Sequence, residues 1–145
     1  MRSSEWRPRP GAWNAAVMER LELTVDDPDH GTLRFGAIAD GPADGPLVLL
    51  LHGCPQTSHE WRFQLPALAA AGYRAVAVDQ RGYATGARPE PEEAYAIPRL
   101  CLDALAFADQ LGAERFHVVG HDYGAVLVWQ LAARHADRLL SATSL

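Results

Sequence analysis

Val118-Val119-Gly120-His121-Asp122-Tyr123-Gly124-Ala125 runs from an apolar strand straight into the start of a helix, with glycine two places before and two places after Asp122. Small residues at those two positions let the backbone turn sharply without a side-chain clash. Such a turn lifts one side chain off the end of a strand and sets it against a helix N-terminus. Here the lifted group is a carboxylate and not a hydroxyl. An aspartate in that place can attack a carbon electrophile to give an alkyl ester, whereas acyl transfer would take it through a labile anhydride. Taken by itself, the pattern fits a plain helix N-cap equally well.

A second segment separates the two readings. His52-Gly53-Cys54-Pro55 follows directly on Leu47-Val48-Leu49-Leu50-Leu51, a continuous apolar run of the kind buried on both faces of a sheet. A turn punctuated by glycine and proline can aim a backbone N–H at the same site, and the N–H at the helix start, on Tyr123, can supply a second donor for an oxyanion. The side chain of His52 is read as a loop imidazole bonding the backbone, ahead of a role in proton transfer, and that of Cys54 as incidental. In Asp79-Gln80-Arg81-Gly82-Tyr83, a second acidic site competes with a structural reading. The structural one is preferred, with Asp79 and Arg81 pairing with each other or with neighbouring loops. Trp61 is assigned to core packing. His117, His121 and His135 show no metal-ligand spacing, so no metal and no cofactor are expected.

The flanking pattern places these turns at strand ends. Leu21, Leu23 and Val25 are answered by Leu33, Phe35 and Ala37 across a turn at 27–31, which predicts a hairpin. A helix is expected around Trp61, Leu65, Leu68 and Ala69, then a strand over 74–78. A second helix carries Ile97, Leu100, Cys101, Ala104, Leu105, Ala108 and Leu111 on one face. A strand over 116–119, a helix over 123–134 and an apolar stretch over 139–145 complete the order β-β-β-α-β-α-β-α-β. Parallel strands joined by helices place function at the carboxyl ends of the strands, which selects 52–57, 79–88 and 120–124. Residues 1–18 are read as an N-terminal arm and 19–145 as one α/β unit.

Composition bounds the chemistry. With 145 residues, 48% hydrophobic and 21% charged, the chain has the make-up of one ordinary soluble domain. The net charge of −5 and scattered cations argue against a nucleic-acid partner. All 13 cations are arginine, so Schiff-base chemistry and a Walker phosphate loop are excluded. No run of eighteen apolar residues and no signal-peptide pattern is present, so no membrane partner and a cytoplasmic location are expected. Two widely spaced cysteines suggest no disulfide framework.

Together the three strand-end segments resemble those of the α/β-hydrolase superfamily, in its epoxide hydrolase and haloalkane dehalogenase branch. His52-Gly-Cys-Pro resembles the branch's His-Gly-x-Pro loop, Asp79-Gln-Arg-Gly-Tyr its Asp-x-Arg-Gly-Tyr strand end, and Gly120-His-Asp-Tyr-Gly its aspartate elbow. The resemblance implies an α/β-hydrolase fold with a mostly parallel sheet and an N-terminal antiparallel hairpin. It also implies Asp122 as nucleophile, with the backbone N–H groups of Cys54 and Tyr123 as oxyanion hole, acting on a small hydrophobic electrophile through an alkyl-enzyme ester. His52, Gly53, Pro55, Asp79, Arg81, Gly120, His121 and Gly124 would support the motifs. Dehalogenases of the branch usually carry tryptophan after the nucleophile and asparagine after His-Gly. Tyr123 and Cys54 depart from that pattern and favour an epoxide-hydrolase-like enzyme. Family members are longer, and their cap, catalytic acid and catalytic histidine follow the region that ends here, so 19–145 is expected to be the amino-terminal part of such a domain, truncated before the cap and last strands and unable to turn over alone. A haloalkane dehalogenase-like hydrolase and a non-catalytic α/β module that binds a ligand or completes its sheet, for instance as a homodimer through an exposed edge, remain the alternatives.

Overall fold

The computed structural model describes residues 18–145. The expected arm at 1–18 lies outside the described residues except for Met18. Six strands form one sheet in the order β1-β2-β4-β3-β5-β6. Strands β1 (Glu19–Asp27) and β2 (Gly31–Asp40) make the expected hairpin, with Leu23 opposite Phe35 and Val25 opposite Leu33. Its turn is set by Asp27, whose Oδ1 accepts the N–H groups of Asp29 at 2.9 Å and His30 at 3.1 Å. This is how a short carboxylate stabilises a tight turn. β2 runs antiparallel to β4 (Arg74–Val78), whereas β4, β3 (Leu47–Leu51), β5 (Phe116–Gly120) and β6 (Leu139–Ser144) are mutually parallel.

Every residue of β3 is buried, as its unbroken apolar run requires. One face of the sheet packs Leu49, Leu51, Val76, Val78 and Val118 under helices α2 (Ile97–Gln110) and α3 (Tyr123–Arg134). Phe35 and Phe107 meet there edge to face with ring centroids 4.9 Å apart. On the other face, Val48, Leu50, Ala75 and Ala77 pack with Trp61 and Leu65, which makes Trp61 a core residue as expected.

The first crossover departs from the expected single helix. Ser58–Phe63 is a 3-10 segment, and only Gln64–Ala70 is α-helical (α1). Pro66 explains the division: it has no N–H to give to a preceding turn and is tolerated only in the first turn of a helix. Strand β6 is paired to β5 alone, and five of its six residues are exposed. No described helix is long and apolar enough to cross a membrane.

Candidate active site

Strands β3, β4 and β5 are parallel neighbours, so the residues that follow them converge at one end of the sheet. Asp122 follows β5 and has φ 53° and ψ −114°, the sole positive φ among the described non-glycine residues. L-residues reach this backbone region at a cost of about 1–3 kcal/mol, and it persists only where neighbours enforce it. The neighbours are visible. A Cβ on Gly120 would lie 2.3 Å from the Gly124 carbonyl oxygen, and one on Gly124 would lie 2.2 Å from that of Leu51. The N–H groups of His121 and Asp122 donate to the carbonyls of Leu51 and Leu145, each at 3.1 Å. The turn is thus pinned to both adjacent strand ends.

Asp122 makes no side-chain capping bond to its helix. Instead its Oδ1 accepts the N–H of Cys54 across the gap to the β3 loop, at 3.0 Å. That bond, followed by the influence of the Tyr123 amide at the helix start, holds the carboxyl below the usual carboxylate range; partial desolvation opposes it and His121 adds in the lowering direction. Gly53 is needed for the approach, since a Cβ there would lie 2.7 Å from the Asp122 Cβ. The Asp122 side chain is itself exposed. A carboxylate kept ionised, open to solvent and faced by two amide donors is an arrangement suited to nucleophilic attack followed by stabilisation of an oxyanion.

His52 is fully buried and structural, as read from the sequence. Its Nδ1 donates to the Gly53 carbonyl at 2.8 Å, and its Nε2 accepts the Gln80 N–H at 3.0 Å. These bonds assign the neutral tautomer, and burial holds its pKa below the ordinary value. Gln80 returns a side-chain bond to the His52 carbonyl at 2.6 Å, which locks the ends of β3 and β4 together. Pro55 completes the loop after a cis peptide.

Asp79 and Arg81 do not pair with each other. Asp79 Oδ1 accepts the Ser58 N–H at 2.7 Å and so ties the end of β4 to the first crossover. Arg81 turns inward and forms a two-pronged pair with Asp103 of α2 at 2.7 and 2.8 Å, and it reaches Asp27 of the hairpin at 2.8 Å. Arg81 also donates to the Ala94 carbonyl at 3.0 Å in the connection between β4 and α2, so the expected pairing with neighbouring loops holds in part, with Asp103 on α2 as a partner from a helix.

Sequence reading also passed over three residues beside the site. Tyr83 stacks edge to face on His52 at 4.7 Å. Its hydroxyl is pushed up to about 12, first by its hydrogen bond to the Cys54 side chain and then by burial. Gln56 carries a buried Oε1, which would lie 2.8 Å from a Cβ on Gly53. Glu60 accepts the Gly53 N–H at 3.2 Å and approaches His121 Nδ1 to 2.6 Å.

An antiparallel hairpin leading into a parallel sheet, with a strained acidic turn between strand and helix, defines a class before any single protein. The chain belongs to the alpha/beta hydrolase fold family, whose description matches residues 46–145. Among particular proteins, it is 46% identical over 117 residues to Epoxide hydrolase A of Mycobacterium tuberculosis, covering 81% of this chain and 36% of that protein. It is 43% identical over 101 residues to Bifunctional epoxide hydrolase 2 of Sus scrofa, covering 70% and 18%. The crystal structure of Epoxide Hydrolase A from Mycobacterium thermoresistibile matches with a TM-score of 0.78 and 39% identity, over 87% of this chain and 39% of that one. The superfamily and fold expected from the three motifs are borne out, and the chain spans well under half the length of these relatives.

Proposed function

We propose that the protein is a hydrolase of the epoxide-hydrolase type acting on small hydrophobic electrophiles, with Asp122 as its nucleophile. The observation that carries this reading is the Cys54 N–H held 3.0 Å from Asp122 Oδ1 on a strained, uncapped turn. In the first step the free carboxylate oxygen of Asp122 attacks an epoxide carbon. The ring C–O bond breaks with its electron pair on oxygen, which takes up a proton, and an ester forms. In the second, water adds to the Asp122 carboxyl carbon and gives up its proton to a base. The charge that develops on Oδ1 is met by the N–H groups of Cys54 and Tyr123 before the ester bond breaks and a diol leaves.

The second step needs a base to activate water, and His52 is unsuited to it because both its ring nitrogens are already engaged. These 145 residues alone are therefore expected to stop at one adduct per molecule. A cytoplasmic setting is in keeping with Cys54 and Cys101 as free thiols. Parallel incubations with styrene oxide and a haloalkane, read by intact mass, test the assignment. An adduct from the epoxide that is lost in Asp122→Asn supports it, such an adduct from the haloalkane alone favours the dehalogenase alternative, and none from either removes both.

A second reading concerns assembly. Leu140 on β6 is 46% exposed and Leu145, just after it, 65% exposed, and among the described residues the outer edge of β6 is unpaired, which favours pairing of β6 with a second copy of the chain.

A further inference from the structure

We propose that Glu60 is a positioning residue that couples the oxyanion-loop amide to the elbow carboxylate, by holding Gly53 with one carboxylate oxygen and His121 with the other. This rests on the assignment of Asp122 as nucleophile. Glu60 Oε2 accepts the Gly53 N–H at 3.2 Å, and Oε1 lies 2.6 Å from His121 Nδ1. Gly53 immediately precedes Cys54, and His121 immediately precedes Asp122. One side chain therefore grips the residue before each end of the Cys54–Asp122 hydrogen bond.

The grip has a firm base. Glu60 lies on the 3-10 segment Ser58–Phe63, its N–H donates to the Thr57 carbonyl at 3.0 Å, and the next residue, Trp61, is 3% exposed in the core. The carboxylate is only 16% exposed, so its close contact with the His121 ring is less screened by water than a surface contact. Glu60 from the 3-10 segment contacts His121, Asp122 follows it on the same turn, and Glu60 also bears on His52. Positive charge on His121 in turn favours the ionised form of Asp122. Reacting groups displaced by about 1 Å can lose a hundredfold in rate, so slack between the loop and the elbow matters chemically.

Two measurements on the full chain test the proposal. The first uses no substrate: NMR of the Gly53 and Cys54 amides in wild type and Glu60→Ala. Loss of the carboxylate is expected to shift both amide resonances and to speed their hydrogen exchange about tenfold. Superimposable amide shifts and exchange rates in the two folded proteins overturn the proposal. The second is the styrene oxide alkylation of Asp122 at saturation. Glu60→Gln, which keeps the shape, and Glu60→Ala are expected to lower the limiting rate about tenfold or more, with the half-saturating concentration unchanged. A fall in melting temperature with no change in the limiting rate per folded molecule makes Glu60 merely structural and overturns the proposal. If the wild type takes no adduct, the nucleophile assignment fails, while the amide measurement still decides whether Glu60 holds the Gly53–Cys54 loop.

Discussion

Asp122 sits where backbone cost and chemical use meet. Its φ of 53° is foreign to an L-residue with a side chain and natural to glycine. Asp122→Gly is therefore expected to raise stability by about 1 kcal/mol in urea denaturation while abolishing alkylation; a destabilised variant would show that the turn carries no strain. Gly124→Ala acts in the opposite sense, because its Cβ would enter the space of the Leu51 carbonyl at 2.2 Å. A loss of about 1–3 kcal/mol is expected in the same assay. Both glycines and the aspartate were legible in the sequence because a strand-to-helix turn imposes its requirements within a few residues. Glu60 was not: one partner lies on the loop before it and the other on a turn some sixty residues later, and no local spacing marks either contact. A glutamate shortly after the His-Gly-Cys-Pro segment was the only available signal.

Between elements, Arg81 joins the end of β4 to the hairpin and to α2. Its guanidinium and the carboxylates of Asp27 and Asp103 are all nearly sealed from water, at 2–5% side-chain exposure. Removing the cation leaves Asp103 buried without its partner and Asp27 with Arg99 alone, at 3.2 Å, so Arg81→Met is expected to cost about 3–5 kcal/mol, read by urea denaturation. The pH dependence has a definite sign. Asp27 is lowered from 3.8 to about 2: burial alone would raise it, but the Asp29 N–H and Arg81 more than offset that. A depressed folded-state value stabilises the fold above about pH 4 and loses that contribution as pH falls toward 2. Asp103, raised chiefly by burial, works in the opposite direction. Asp27→Asn is expected to lower stability at neutral pH and to flatten the acid limb between about pH 4 and 2; an unchanged acid limb would contradict the role of Asp27. The strands and helices were legible from periodicity, and so was the structural part played by the Asp79–Tyr83 segment. The identity of Arg81's partners was not, because Asp27 and Asp103 are 54 and 22 residues away. Asp103, a charge on the apolar face of α2, was the one visible trace.

At the scale of the whole molecule, β6 is paired on one side only among the described residues. Tyr123, Val126 and Trp129 on α3, Leu140 on β6 and Leu145 after it are all exposed, from 42% to 68%. If β6 pairs with a second copy, sedimentation velocity should show dimer growing with concentration, and Leu140→Lys combined with Leu145→Lys should return the monomer; a concentration-independent monomer would exclude pairing. The relatives matched are longer by more than twofold, since the chain covers 36% of one and 39% of another. The chemistry proposed nevertheless depends only on groups that these residues already bring together: Asp122, the Cys54 and Tyr123 amides, and the glycines that let them approach. The most direct measurement is peptide mapping by mass spectrometry after incubation with styrene oxide, in wild type and Asp122→Asn. The account predicts one adduct per chain, on the peptide containing Asp122, absent from the variant. A folded wild-type protein with no adduct, or an adduct that survives in Asp122→Asn on the exposed thiol of Cys54, would contradict it.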